Sequence, residues 1–198
     1  MSKPKANNFQ RIRLLSFEQQ ALIAATLLER MLPNYQLFSE VTEFGDYDVV
    51  ANALDLIWQR LCIAGTKVNI EKLIEKVEPN IPEVEQFDMF GVYPAIDTLT
   101  AMISLLTALL NKDAEELLNV TKISQASVSK YIEYSFDVSE QEFDNHDVRE
   151  HPLMQREIAF LKDTIDKVEP LKPSNETAKQ LKALAKEDGM TNIGIEIA

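Results

Sequence analysis

Carboxylate and imidazole groups crowd one short stretch of this chain, Asp137, Glu140, Glu142, Asp144, His146, Asp147, Glu150 and His151, and these are ligand types that hold metal ions. Their spacing does not make a metal site. A calcium loop needs a glycine where Glu142 stands, His146 and His151 are five residues apart and off a shared helix face, and no HExxH occurs. The stretch reads as a solvated acidic loop, and no metal ligand set is assigned.

Covalent chemistry has equally thin support. Neither histidine has a serine or cysteine partner in a recognisable pattern, and GxSxG, GxGxxG and GxxxxGK[ST] are all absent. The single cysteine, Cys62, lies in the apolar run Leu61–Ala64 and reads as a core thiol, so no internal disulfide can form. No catalytic residue and no cofactor follow from these motifs.

Aromatic rings interleaved with acids are the more suggestive pattern. Tyr35, Asp46, Trp58, Asp88, Tyr93 and Asp97 could line a pocket for a small cationic ligand, by cation–π contact and charge pairing. The competing reading is structural, because Asp46 and Asp97 sit where helix starts favour anions and Trp58 falls in a core stripe. Phe87, Met89, Phe90 and Tyr93 load one connection with apolar surface, and Met89 and Phe90 mark a candidate patch for a protein partner or for self-association.

Residues 114–131, AEELLNVTKISQASVSKY, have the outline of a helix-turn-helix. Its turn would carry Thr121, Lys122 and Ile123 without a glycine, and its two lysines are offset by two glutamates, so one continuous bundle helix is the better reading. A formal net charge of −12 and a pI near 4.7 argue against nucleic acid as a partner generally. The charge is uneven: +3 over residues 1–30, −8 over 31–100 and −7 over 101–198. A basic, partly flexible arm over residues 1–14 is expected ahead of an acidic body.

Elements must position these residues, and composition limits their kind. Five glycines in 198 residues are too few for a hairpin-rich fold. Helical spacing recurs instead. Ser16 caps a first helix that Pro33 is expected to stop; Asn34 then starts a short second one, and Gly45 and Asp46 punctuate before a third with Val50, Leu54, Ile57, Trp58 and Leu61 on one face. Asn69 to Val77 form a fourth, and the connection from Glu78 to Tyr93 packs down onto the bundle. Pro94 opens the most apolar helix, with Asp97 in its first turn. A helix from Asp113 to about Tyr134 follows, then loop or short turns over 137–150. Met154, Ile158, Leu161, Ile165 and Val168 form the cleanest stripe, and Ser174 caps a last helix through Lys186. The tail, 187–198, docks. The longest uncharged run, Thr98 to Asn111, is too short to span a bilayer, and the N-terminal apolar run is no signal peptide. A cytoplasmic location and no membrane role are the expectation.

Several separate motifs carry a resemblance: Glu29-Arg30-Met31 with Pro33-Asn34-Tyr35, Phe44-Gly45-Asp46, Leu54 to Trp58, Lys67-Val68-Asn69, Phe87-Asp88, Gly91 to Asp97, and Asn192 to Ile195. In this order and spacing the chain resembles the YjaG-like family of small bacterial proteins, over nearly its whole length and least between Asp113 and Lys186. The resemblance implies an all-helical, single-domain cytoplasmic protein of a family without an assigned function, and supplies no catalytic residues. The overall expectation is an all-α, single-domain bundle of seven or eight helices without a significant sheet, acting as a protein-interaction module. Small-molecule binding or an unrecognised enzyme activity at the Tyr35/Asp46/Tyr93/Asp97 loops is the first alternative, and helix-turn-helix DNA binding the second.

Overall fold

The computed structural model describes residues 6–136 and 145–197. Among them are nine α-helices: α1 Asn8–Arg13, α2 Phe17–Thr42, α3 Tyr47–Cys62, α4 Ile70–Val77, α5 Val92–Asn111, α6 Ala114–Phe136, α7 Asn145–Glu150, α8 Pro152–Val168 and α9 Asn175–Lys186. The only β pairing among the described residues is the isolated bridge Met190–Glu196. Helix α2 is the hub, packing against α3, α5, α6, α8 and α9, and α5 and α6 form an antiparallel pair across it.

Local chemistry sets the boundaries. Ser16 and Gln19 form a capping box, the Gln19 N–H donating to Ser16 Oγ at 3.2 Å and the Ser16 N–H to Gln19 Oε1 at 3.0 Å. Asp46, Asn69 and Ser174 accept from the third helical N–H of α3, α4 and α9. His151 caps α8 ahead of Pro152, its imidazole accepting from the Leu153 N–H. Gly45 has φ +73°, and a Cβ there would strike the Tyr35 hydroxyl, so both conformation and space demand glycine.

Pro33 does not stop the first long helix; α2 runs through it to Thr42. The missing N–H and ring clash cost about 3 kcal/mol. Met31, Tyr35 and Phe38, all essentially buried on the two sides of the proline, recover about 1.5–3 kcal/mol each by staying in one helix. Asn34, expected as a cap, therefore lies inside α2 and points its amide at the tail. The left-handed residue ending α2 is Glu43 (φ 54°), two positions before Gly45.

Helix α5 starts at Val92, two residues before Pro94, so Asp97 sits in its second turn and not at its N-terminus. It is long and apolar enough to cross a membrane, with about two-thirds of that span buried in the bundle. Helix α6 is unbroken over Ala114–Phe136, so the turn that a helix-turn-helix requires does not form; the residues proposed as its recognition helix include the buried Ser124, Ser127 and Val128. At the N-terminal arm, residues 8–13 are helical rather than loose, and Ile12 is 1% exposed between α6 and α8, because an apolar side chain there has a groove to fill. Residues 145–150 form α7 where loop or turns were expected, while the remaining candidates for metal binding, Asp137, Glu140, Glu142 and Asp144, lie outside the described residues, as does the side chain of His146.

Candidate functional site

The sequence-derived site residues divide among three places. Tyr35 and Asp46 meet at Asn80, in the short 3₁₀ turn after α4. The Asn80 side-chain carbonyl accepts from the Asp46 backbone N–H at 2.7 Å and lies 3.5 Å from the Tyr35 hydroxyl, while its amide donates to the Lys76 carbonyl at 2.7 Å. Burial pushes the Tyr35 phenol up to about 12. This knot ties α2, the α2–α3 turn and the turn after α4 together.

The second place is the outer corner where α5 begins and α6 ends. Phe87 turns inward, edge-on to Phe38 and Phe44 at 4.9 and 5.3 Å between ring centroids, and so leaves the surface patch. Phe90 turns the other way. It stacks on Tyr134 at 4.2 Å and 23°, and meets Tyr93 and Tyr131 at 5.7 Å. Met89, Tyr93 and Tyr134 remain 37%, 40% and 56% exposed, and Asp88 is exposed beside them. Edge-to-face and offset geometries of this kind hold aromatic rings as a fixed surface. One turn along α5 from Tyr93, buried Asp97 accepts from Lys130 Nζ at 2.7 Å.

The third place is Trp58, whose indole N–H donates to Glu29 Oε1 at 2.7 Å. Glu29 is buried, and Lys182 lies 3.5 Å from it, also pairing Asp55 at 2.6 Å. Burial would lower the Lys182 ammonium, but these two carboxylates outweigh it and raise it. A cleft of about 420 Å³ between α3 and α9 opens here, lined by Trp58, Cys62, Asn175 and Lys182 among others. Cys62 is buried, and desolvation pushes its thiol up, away from the reactive thiolate.

Sequence reasoning missed a fourth centre. Arg30, 1% exposed, forks onto Asp188 with hydrogen bonds of 2.9 and 2.8 Å, stacks over Phe160 at 4.4 Å, and places its Nε 3.6 Å from Glu157. Arg156 approaches Asp188 at 3.6 Å and donates to the Thr191 carbonyl. Burial raises the Glu157 carboxyl; Ser124, donating to it at 2.5 Å, and Arg30 only partly offset this. Burial also acts to raise Asp188, yet the Arg30 fork dominates and holds it low. Asn34 donates to Asn192 at 2.8 Å, closing the tail over this centre. The signal was in the sequence, in Glu29-Arg30 within an otherwise apolar helical stripe, but nothing local names partners more than a hundred residues away.

Among the described residues no group of three or more His, Cys, Asp or Glu side chains is arranged to hold a metal. The model of a family described as "Protein of unknown function (DUF416)" matches residues 7–196. The chain belongs to the DUF416 family. Its DUF416 relatives include the uncharacterised protein YjaG of Escherichia coli K12, 32% identical over 186 residues, 93% of this chain and 94% of the relative. An uncharacterised protein of Haemophilus influenzae Rd is 30% identical over 192 residues, 94% of this chain and 95% of its own. The crystal structure of a DUF416 family protein from Shewanella baltica OS155 superposes with a TM-score of 0.90 at 38% identity, covering 97% of this chain and all of that one. DUF416 membership establishes the resemblance carried by the motif residues and the all-helical architecture. The DUF416 description assigns no activity.

Proposed function

We propose that this DUF416 protein is a non-enzymatic protein-interaction module of the bacterial cytosol, and that its contact surface is the aromatic corner of α5 and α6. The observation that carries the reading is the exposure of Met89, Tyr93 and Tyr134 around the stacked Phe90. Large rings held in place at the surface lose little freedom on binding, and aromatic residues and methionine are enriched at protein interfaces. The catalytic alternative gains little support from the geometry: Tyr35 and the Asp46 backbone serve the knot at Asn80, the Asp46 side chain caps α3, and Asp97 is paired with a lysine.

The test is native mass spectrometry and crosslinking of the full chain purified gently from its own host, beside Met89→Asp and Tyr93→Asp variants. The expected result is a retained complex, homomeric or with another protein, that both variants lose while keeping the wild-type circular dichroism. A complex untouched by either substitution, or variants that unfold, would overturn the assignment.

A second reading rests on the cleft beside Trp58, whose volume of about 420 Å³ falls in the range of small-molecule sites. A stoichiometric small-molecule adduct in the same spectra, lost on Asn175→Leu, would favour it over the interaction surface.

A further inference from the structure

The aromatic corner carries a charge pattern that narrows its partner. Tyr93 and Asp97 are four residues apart on α5, and Lys130 and Tyr134 are four apart on α6, so each pair shares a helix face one turn apart. The Lys130–Asp97 ion pair joins the two helices at 2.7 Å, so it lies directly beside the ring cluster Phe90, Tyr93 and Tyr134. Asp97 is 7% exposed, and its second oxygen, Oδ2, is buried without a hydrogen-bond partner among the described residues. A buried carboxylate with an idle acceptor is a costly arrangement that an additional donor would relieve. The lysine that serves it is itself 47% exposed, a solvated counter-ion that can leave for water. Ring faces carry negative potential, the exposed carboxylates Asp88 and Glu133 flank the cluster, and the molecule as a whole is at −12.

Resting on the interaction reading above, we infer that the corner takes a partner segment presenting a basic side chain, arginine above all, among apolar residues. The apolar residues cover Met89 and the ring edges. The guanidinium enters against the rings and replaces Lys130 on Asp97, engaging both carboxylate oxygens with its planar fork where the lysine engages one. The displaced ammonium returns to solvent, and the exchange conserves charge within the site.

The probe is a fluorescein-labelled peptide alternating arginine and leucine, compared by anisotropy at low salt with the same peptide carrying citrulline, the neutral isostere, in place of arginine. The full chain is used throughout, with Asp97→Asn, Lys130→Met and, as a charge-matched control on the exposed start of α9, Glu176→Gln. The arginine peptide is expected to bind on the order of tenfold tighter than the citrulline peptide. That preference should vanish in Asp97→Asn, persist in Glu176→Gln and grow in Lys130→Met, where the resident cation no longer competes. Equal affinity for the two peptides, or an Asp97→Asn effect no larger than that of Glu176→Gln, would overturn the cation subsite. If Met89→Asp still abolishes such unselective binding, the interaction surface survives and only the partner chemistry fails. Failure of both peptides to bind also overturns the inference, whereas the interaction surface stands or falls on the crosslinking comparison.

Discussion

Gly45 shows how much a single position can fix. It combines a left-handed φ of +73° with a Cβ direction that points into the Tyr35 hydroxyl. Gly45→Ala is therefore expected to destabilise the fold by about 1–3 kcal/mol, measured by urea denaturation, and to perturb the Tyr35–Asn80 knot rather than the aromatic corner. Glu157 makes a different demand, on pH. Its folded pKa is raised by burial above the ordinary 4.5, so between those values the folded chain binds more protons than the unfolded one, and stability falls as pH rises through that interval. Glu157→Gln removes this dependence while leaving a group that can meet Ser124. The difference in unfolding free energy between variant and wild type should accordingly shift in favour of the variant as pH rises from the ordinary glutamate range towards neutral. A difference that is flat with pH would show that Arg30 fully compensates the carboxylate. Asp188 works in the opposite sense: its lowered pKa contributes stability above the ordinary aspartate value that is lost as pH falls through the folded one.

At the scale of elements, Pro33 separates what local rules dictate from what packing decides. Because its ring lies on the partly exposed side of α2, Pro33→Ala should restore a helix donor without leaving a large void, and is expected to stabilise the protein by about 1–3 kcal/mol in denaturant titration. The helix starts were legible because a cap is a local event: Ser16, Asp46, Asn69 and Ser174 all cap as their types suggest. The break at Pro33 was misread because the burial that holds α2 together comes from helices far away in sequence. The same limit applies to Asp97, whose position near Pro94 suggests a dipole contact. The actual start of α5 at Val92 makes it an interhelical anchor for Lys130 instead. Of the candidate site, the exposed corner was legible in Met89, Phe90 and Tyr93, since an aromatic-rich connection cannot hide all its rings; Tyr131 and Tyr134 joined it only through the fold of α6.

For the whole molecule, the arrangement of charge matters more than its total. Trp58→Phe keeps the packing of α3 but removes the N–H that satisfies buried Glu29, and a loss of about 1–3 kcal/mol is expected in thermal or chemical unfolding, with the Lys182 contact as partial compensation. The partners of Arg30 in its ionic centre were illegible in the sequence because they come from α8 and the tail, and only tertiary packing brings them within 4 Å. That geometry has a temporal side. Arg30 reaches Asp188 and Asn34 reaches Asn192 across the same 158 residues of chain. A ribosome making this chain from its N-terminus can assemble α2, α3 and α5 early, but it releases the partners of the hub's polar side chains only 158 residues after the hub itself. Until then, the growing chain holds an arginine and an asparagine in its central helix without their final counterparts, and native closure of the hub waits for Asp188 and Asn192.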